Sequence, residues 1–255
     1  MPYELKGRNV LVTAGSRGLG AAIALKFARE GANVAINYYS RVDAAEDVAR
    51  KIKAECEGVK TVVIQGDCGV MADCRKCVQE TIRAFGGIDI IIGNAGWTRF
   101  SNFTDLDALS DDEWDKCWNT NVKGQLALLR EALPTLNQNP DGGAMIVTSS
   151  IAGVSAKGSS MAYSVTKAAQ IQLMKCLARA AAPKVRVNAV LPGLLLTEWG
   201  MRYSEERVNA LKAEALLQHE TFIDDCADAY IMLAKNTSMT ATKIQVDAGI
   251  CIGNP

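Results

Sequence analysis

The chain has a single histidine, His219, among 255 residues. That excludes a His-rich metal centre and any relay built on more than one imidazole. Net charge is also missing: 28 Lys and Arg balance 28 Asp and Glu, so no overall field draws the protein to nucleic acid or to an anionic membrane surface. Apolar residues make up 49% of the chain, yet no run of them is long enough to span a bilayer. No charged-then-apolar leader opens it, and a soluble, cytoplasmic protein is expected. Aromatics are sparse at 6%, whereas Gly and Ala are plentiful, a mixture that suits close packing of helices on a sheet. The eight cysteines include one C-x-x-C pair, Cys74 and Cys77, but no second pair or histidine follows at zinc-finger distance. Free thiols and no metal are expected.

Strand-like apolar runs alternate with helical periodicity along the chain. The strand candidates are 9–13, 33–38, 61–65, 88–92, 144–148, 185–191 and 243–246, with helix-like segments near 19–30, 42–56, 71–85, 111–136, 161–182 and 223–234. Short, nearly continuous apolar runs indicate strands buried on both faces, as in a parallel sheet. Their alternation with helices predicts an α/β fold, a doubly wound parallel sheet of about seven strands with helices on both faces. Nothing reads as a linker or repeat, so one domain over 1–255 is expected. Two segments break the rhythm, 97–110 after the fourth strand and 194–221 after the sixth. Both leave the carboxyl ends of strands, where doubly wound folds bind ligands, and the second is expected to form a substrate lid.

Two local patterns suggest chemistry. After the first strand comes Thr13-Ala14-Gly15-Ser16-Arg17-Gly18-Leu19-Gly20, leading into a helix. Glycines at such a turn let the backbone approach a pyrophosphate, and the helix start offers unpaired N–H groups. Further on, Tyr163 and Lys167 stand four residues apart on one helix, hence on one face, and Ser150 follows the apolar run 144–147. A neighbouring ammonium favours the phenolate, so Lys167 is expected to pull the Tyr163 pKa down and make it a proton donor for a carbonyl oxygen.

Across essentially its full length the chain resembles the short-chain dehydrogenase/reductase family. The family's T-G-x-x-x-G-x-G turn is met at Thr13, Gly18 and Gly20, with Ala14 in place of the first glycine. Its N-N-A-G segment appears as Gly93-Asn94-Ala95-Gly96, and its helix asparagine as Asn121. Its catalytic Ser, Tyr and Lys match Ser150, Tyr163 and Lys167, and its P-G-x-x-x-T segment matches Pro192, Gly193 and Thr197. The methyl of Ala14 implies that the first turn keeps a backbone conformation open to L-residues, with Gly15 beside it to absorb the change. The C-terminal Val246-Asp247-Ala248-Gly249 is similar to the family's V-D-G-G, again with one Gly replaced by Ala.

The resemblance implies a Rossmann-type domain and a nicotinamide cofactor. Contacts are expected from the first turn (Thr13, Gly15, Ser16, Arg17, Gly18, Leu19 and Gly20), from Asn94, Ala95 and Gly96 at the adenine ribose, and from Pro192, Gly193, Leu195 and Thr197 near the other end. Asp67, with Cys68 beside it, matches the acid that holds the adenine amino group. No acid follows the second strand until Asp43, and Arg17, Ser40 and Arg41 can meet a phosphate there. An acid at that place would repel a 2′-phosphate and forked guanidinium donors welcome one, so NADP(H) is expected over NAD(H).

The implied reaction is reversible hydride transfer between the nicotinamide and a carbonyl carbon. Tyr163 donates the proton, Ser150 stabilises the oxygen, Lys167 tunes the tyrosine and holds the nicotinamide ribose, and Asn121 positions a water linking Lys167 to solvent. A cofactor-binding protein without redox turnover is the alternative, and the intact Asn, Ser, Tyr and Lys set weighs against it. The substrate is expected to be a moderately hydrophobic ketone, 3-oxoacyl ester or polyketide-like aromatic, met by Trp97, Phe100, Trp199 and His219. By resemblance the protein forms homotetramers, or dimers, through its fourth and fifth helices.

Overall fold

The computed structural model describes residues 3–252. Seven strands, β1 (Asn9–Val12), β2 (Asn33–Tyr38), β3 (Thr61–Gln65), β4 (Ile90–Gly93), β5 (Gly143–Thr148), β6 (Val185–Pro192) and β7 (Lys243–Val246), pair in parallel throughout in the order β3-β2-β1-β4-β5-β6-β7. β5 is buried at every position, and β4 likewise, which is why their sequences are continuous apolar runs without alternation. The chain crosses from the sheet edge at β3 back to β4 beside β1. The strand order therefore reverses between β1 and β4, and a crevice opens beyond their carboxyl ends.

Helices cover both faces. On one lie α1 (Gly18–Arg29), α2 (Val42–Glu55) and α8 (Ile223–Lys235), with Ile23, Phe27 and Ile52 buried toward β1 and β2 and Tyr230 beside the end of β5. On the other lie α3 (Met71–Phe85), α5 (Gly124–Gln138) and α6 (Met161–Ala181), burying Val78, Leu128 and Met174. Most of the stability resides in these two apolar layers, at about 25 cal/mol per Å² removed from water.

The helix expected over 111–136 is not continuous. α4 (Asp111–Trp118) starts at a capping box in which Ser110 accepts the Glu113 N–H and the Glu113 carboxylate accepts the Ser110 N–H. A wider π-turn, Asn119–Lys123, then separates it from α5. Apolar periodicity is blind to such an insertion, because one extra residue leaves the neighbouring faces apolar. π-turns cluster at functional positions, and this one carries Asn121. The segment after β6 forms a short 3₁₀ turn, Gly200–Arg202, and one exposed helix, α7 (Glu205–Glu214), which buries no residue of its own.

Candidate active site

The Gly-rich turn is held by buried partners rather than by its own sequence. Thr13 donates its hydroxyl to Ile92 O (3.0 Å) and accepts the N–H groups of Asn94 (2.8 Å) and Ala95 (2.9 Å), tying the ends of β1 and β4 together. Ala14 adopts φ 47°, inside the left-handed region. The expectation of a conformation open to L-residues is therefore wrong, and Gly15 absorbs nothing, because its own φ is not positive. The reason lies in Asn37 at the end of β2. Its side-chain Oδ1 accepts the Ala14 N–H (3.0 Å) while its backbone carbonyl accepts the Gly15 N–H (2.8 Å). Asn37 is itself clamped, donating to Gly66 O (3.1 Å) and to the Cys77 sulfur (3.3 Å). Ala248, the other alanine in a glycine place, is also left-handed at φ 54°.

An L-residue in this region costs about 1–2 kcal/mol, partly offset by the lower unfolded-state entropy of Ala. Ala14→Gly is therefore expected to stabilise the protein by about 1 kcal/mol, raising Tm by about 2–4 °C. A melt unchanged or lowered in the variant would show that the left-handed Ala14 carries no strain.

Gly20 is required by close approach: a Cβ there would stand 2.2 Å from Ala14 O and 2.8 Å from Asn94 Nδ2. α1 then begins with no side-chain cap and no acid in its first turn, so its orphan N–H groups face the crevice free for an anion.

Tyr163 and Lys167 lie on α6, one turn apart, beside Ser150, which caps the short turn after β5. Ser150 Oγ accepts the Ala152 N–H (3.1 Å) and lies beside the Tyr163 phenol on the wall of the same cavity. Ser149 instead donates to Lys167 O (3.0 Å) from a buried position, so the two adjacent serines are sorted by the chain direction. Lys167 is 2% exposed and donates to Thr148 O (2.6 Å) and Gln170 Oε1 (3.3 Å), with its Nζ 5.4 Å from the centre of the Tyr163 ring.

This geometry reverses the expected electrostatics. Burial pushes the Tyr163 phenol up, opposed only by the neighbouring Ser150 hydroxyl, and Lys167 exerts no resolved pull on it. Burial also lowers Lys167 to about 7, with a small opposing effect from Cys117. Desolvation exceeds the mutual help expected from helix spacing, because the ammonium points at Thr148 O and Gln170 rather than at the phenol oxygen.

Asn121 is fully buried beneath the crevice. Its Oδ1 accepts the Trp97 N–H (2.8 Å), and its Nδ2 donates to Trp97 O (3.0 Å) and Thr166 Oγ1 (2.9 Å). Its backbone carbonyl accepts Gln170 Nε2 (2.8 Å), so the Gln170 side chain bridges Asn121 and Lys167 directly. Sequence reasoning missed Gln170. The available signal was its place three residues after Lys167, on the same helix face.

One cavity of about 640 Å³ runs from the Gly-rich turn to the tyrosine. Arg17, Gly18, Leu19, Gly20, Asn94, Gly96, Ser150, Tyr163, Lys167, Pro192, Gly193, Leu195 and Thr197 all line it. Thr13, Gly15, Ala95 and Asn121 stand behind its wall as supports, and Ser16 sits in the turn itself. Cys68 turns its thiol into the core, donating to Asn37 Oδ1 (3.5 Å), and Asp67 Oδ1 accepts the Gly69 N–H (2.7 Å). Ser40 and Arg41 are exposed beyond β2.

Of the aromatic residues expected at the substrate, Trp199 lines the cavity, 5.8 Å from Tyr163. Phe100 lies behind Tyr203, a lining residue, with their ring centres 4.8 Å apart. Trp97 lies under Lys116, and His219 stacks on Phe222 away from the cavity. The irregular segment after β6 also brings Arg207, Leu211 and Glu214 to the rim, residues whose place no sequence period indicates.

The cradle fits a phosphate-bearing dinucleotide. It joins an uncapped helix start to two nearby guanidiniums, and its floor at Gly96 has no side chain to fill it: a Cβ there would come within 3.6 Å of Lys167 Nζ and 3.8 Å of Trp199. Among the described residues no cluster of His, Cys, Asp and Glu could hold a metal ion, and no helix is long and apolar enough to cross a membrane.

Comparison with known proteins points the same way. A family model described as enoyl-(acyl carrier protein) reductase matches residues 13–251. A 3-oxoacyl-(acyl-carrier-protein) reductase of Staphylococcus epidermidis is 32% identical over 95% of this chain and 98% of its own length. Versicolorin reductase 1 of Aspergillus parasiticus is 35% identical over 89% of this chain and 81% of its own. A short-chain dehydrogenase of Burkholderia cenocepacia, solved in complex with NADP, superposes with a TM-score of 0.89 at 32% identity, covering 97% of this chain and 99% of that one. With the parallel sheet, the crevice at its switch point and relatives matched over nearly their full lengths, the chain belongs to the short-chain dehydrogenase/reductase family of oxidoreductases.

Proposed function

We propose that the protein is an NADPH-dependent carbonyl reductase, with the reverse alcohol oxidation open to it. The observation that carries this reading is the meeting of Ser150, Tyr163 and Lys167 at the end of a cavity that begins at the Gly-rich turn. When bound, the nicotinamide supplies hydride to the carbonyl carbon or takes it back. Tyr163 keeps its proton at the ambient pH, because burial raises its pKa, and gives it to the carbonyl oxygen as negative charge develops there. Ser150 holds that oxygen by a hydrogen bond in a site sheltered from water, where such a bond is worth most. Lys167 holds the nicotinamide ribose, and Gln170 and Asn121 keep the lysine in place.

At the other end, Arg17 and Arg41, with Ser40, receive the 2′-phosphate, which favours NADP(H) over NAD(H). Asp67 and the Cys68 backbone flank the adenine, and Asn94, Ala95 and Gly96 line its ribose. Pro192, Gly193, Leu195 and Thr197 border the nicotinamide, and 194–221 closes over the substrate as a lid.

Trp199, Tyr203 and Leu211 on the cavity wall suit a moderately hydrophobic ketone or 3-oxoacyl ester, and two relatives are named as reductases of a 3-oxoacyl-carrier substrate and of versicolorin. The eight unpaired cysteines suit a reducing cytoplasm. Trp118 and Val165, exposed on α4 and α6, suit a homotetramer or dimer built on those helices.

NADPH oxidation by the purified protein over a panel of ketones, 3-oxoesters and quinones tests the reading. Turnover on at least one class, faster with NADPH than with NADH, is the expected result. Tight NADPH binding with no turnover on any of them would move the protein to the non-redox members of the fold.

A further inference from the structure

We propose that Glu198 is a specificity-determining residue for the dinucleotide: its carboxylate occupies, as an internal anion, the place of the 2′-phosphate. The proposal rests on the reading that Arg17 and Arg41 receive that phosphate.

The two arginines come from separate parts of the chain, one from the Gly-rich turn and one from the start of α2, yet they converge on a single carboxylate. Arg17 Nη1 stands 2.5 Å from Glu198 Oε2, and Arg41 Nη1 stands 3.3 Å from the same oxygen and 3.4 Å from Oε1. No other carboxylate pairs with either arginine among the described residues. The gathering of two guanidiniums on one small anion is the arrangement a phosphate monoester needs.

Charge makes the two occupants exclusive. The arginines supply two positive charges, and a phosphate monoester at neutral pH brings nearly two negative ones. With the carboxylate retained, three negative charges would face two positive ones at contact distance. Glu198 must therefore leave when a 2′-phosphate enters, whereas a dinucleotide with a free 2′-hydroxyl makes no such demand. The displacement is easy but not free. All three side chains are about half exposed, so each ion pair is a weak, solvent-screened one.

Position adds a consequence. Glu198 lies between Thr197, whose methyl lies 3.0 Å from where a Cβ on Gly18 would be, and Trp199, which leans on Tyr163. A contact at the adenine end is thus one residue from the wall of the reacting end, and loosening the whole segment must be told apart from removing the competing charge.

Equilibrium titration of NADPH and of NADH fluorescence with the purified protein, its Glu198→Gln variant, an Arg17→Ala/Arg41→Ala double variant and the triple variant makes that separation. Glutamine keeps the shape and removes the charge. The expected result is NADPH binding tightened about three- to tenfold in Glu198→Gln, with NADH changed less than about twofold, and no effect of the same substitution in the arginine-free background. Tightening of NADPH and NADH by the same factor would assign the effect to the lid and overturn the proposal, as would NADPH binding unchanged or weakened. In those cases the 2′-phosphate reading survives if the double arginine variant loses NADPH affinity selectively. If that variant binds NADPH as well as the unmodified protein does, the phosphate reading fails, and the proposal with it.

Discussion

Tyr163→Phe is expected to lower turnover by about 10²- to 10⁴-fold, the usual contribution of a positioned general acid, while leaving the NADPH dissociation constant within about twofold. The phenylalanine ring keeps the packing against Trp199, 5.8 Å away, and the place under Lys167 Nζ, so what is lost is the phenol hydroxyl and its proton. The two readouts separate the roles. A fall in kcat with unchanged binding identifies a group that acts on the reacting oxygen. Near-normal turnover would mean that another group supplies the proton and that the tyrosine only packs.

Lys167→Met is the second large effect, and it runs in two directions. Turnover and NADPH affinity are both expected to fall, each by about tenfold or more, because the variant can no longer hold the nicotinamide ribose and so no longer fixes the ring against the reacting carbonyl. Its response to pH tests the burial argument independently of activity. An unfolded lysine titrates near 10.5, whereas Lys167 in the fold titrates at about 7. From pH 7 upward the unfolded chain therefore binds the extra proton, so the Lys167 contribution to stability increases with pH, and below about 7 its penalty is constant. Above about pH 8.5 the buried thiols of Cys77 and Cys226, both pushed up to about 12, act with the opposite sign, so the informative window is pH 7 to 8.5. Denaturation of the dinucleotide-free protein should show stability rising across that window by about 1–2 kcal/mol, with the rise absent in Lys167→Met. Parallel profiles for the two proteins would show that Lys167 stays charged in the fold.

These two residues also show how far a sequence carries the chemistry. Tyr163 and Lys167 are placed on one face by helix spacing alone, since positions four apart always stack, and Ser150 is placed at the end of a strand by the apolar run before it. Local spacing fixes proximity of backbone positions, not where a flexible four-carbon stem ends. The sign of the interaction follows from the contact with Thr148 O and from the depth of burial, neither of which is local.

The parallel sheet and its strand boundaries, to within two residues, are legible in the chain before any contact is known, as are the strand ends that a ligand would meet. Strands buried on both faces demand unbroken apolar runs, and helices on a sheet demand an apolar stripe, so both write their period directly into the chain. The left-handed Ala14, the π-turn at Asn121, the Gln170 bridge and the convergence of Arg17 and Arg41 on Glu198 emerge only from long-range packing. Each depends on contacts between residues far apart in sequence: Asn37 for Ala14, α6 for Asn121, the segment after β6 for the arginines. Connections carry no period, and whether burial or a neighbouring charge governs a group is settled only when packing has fixed which atoms lose water and which meet.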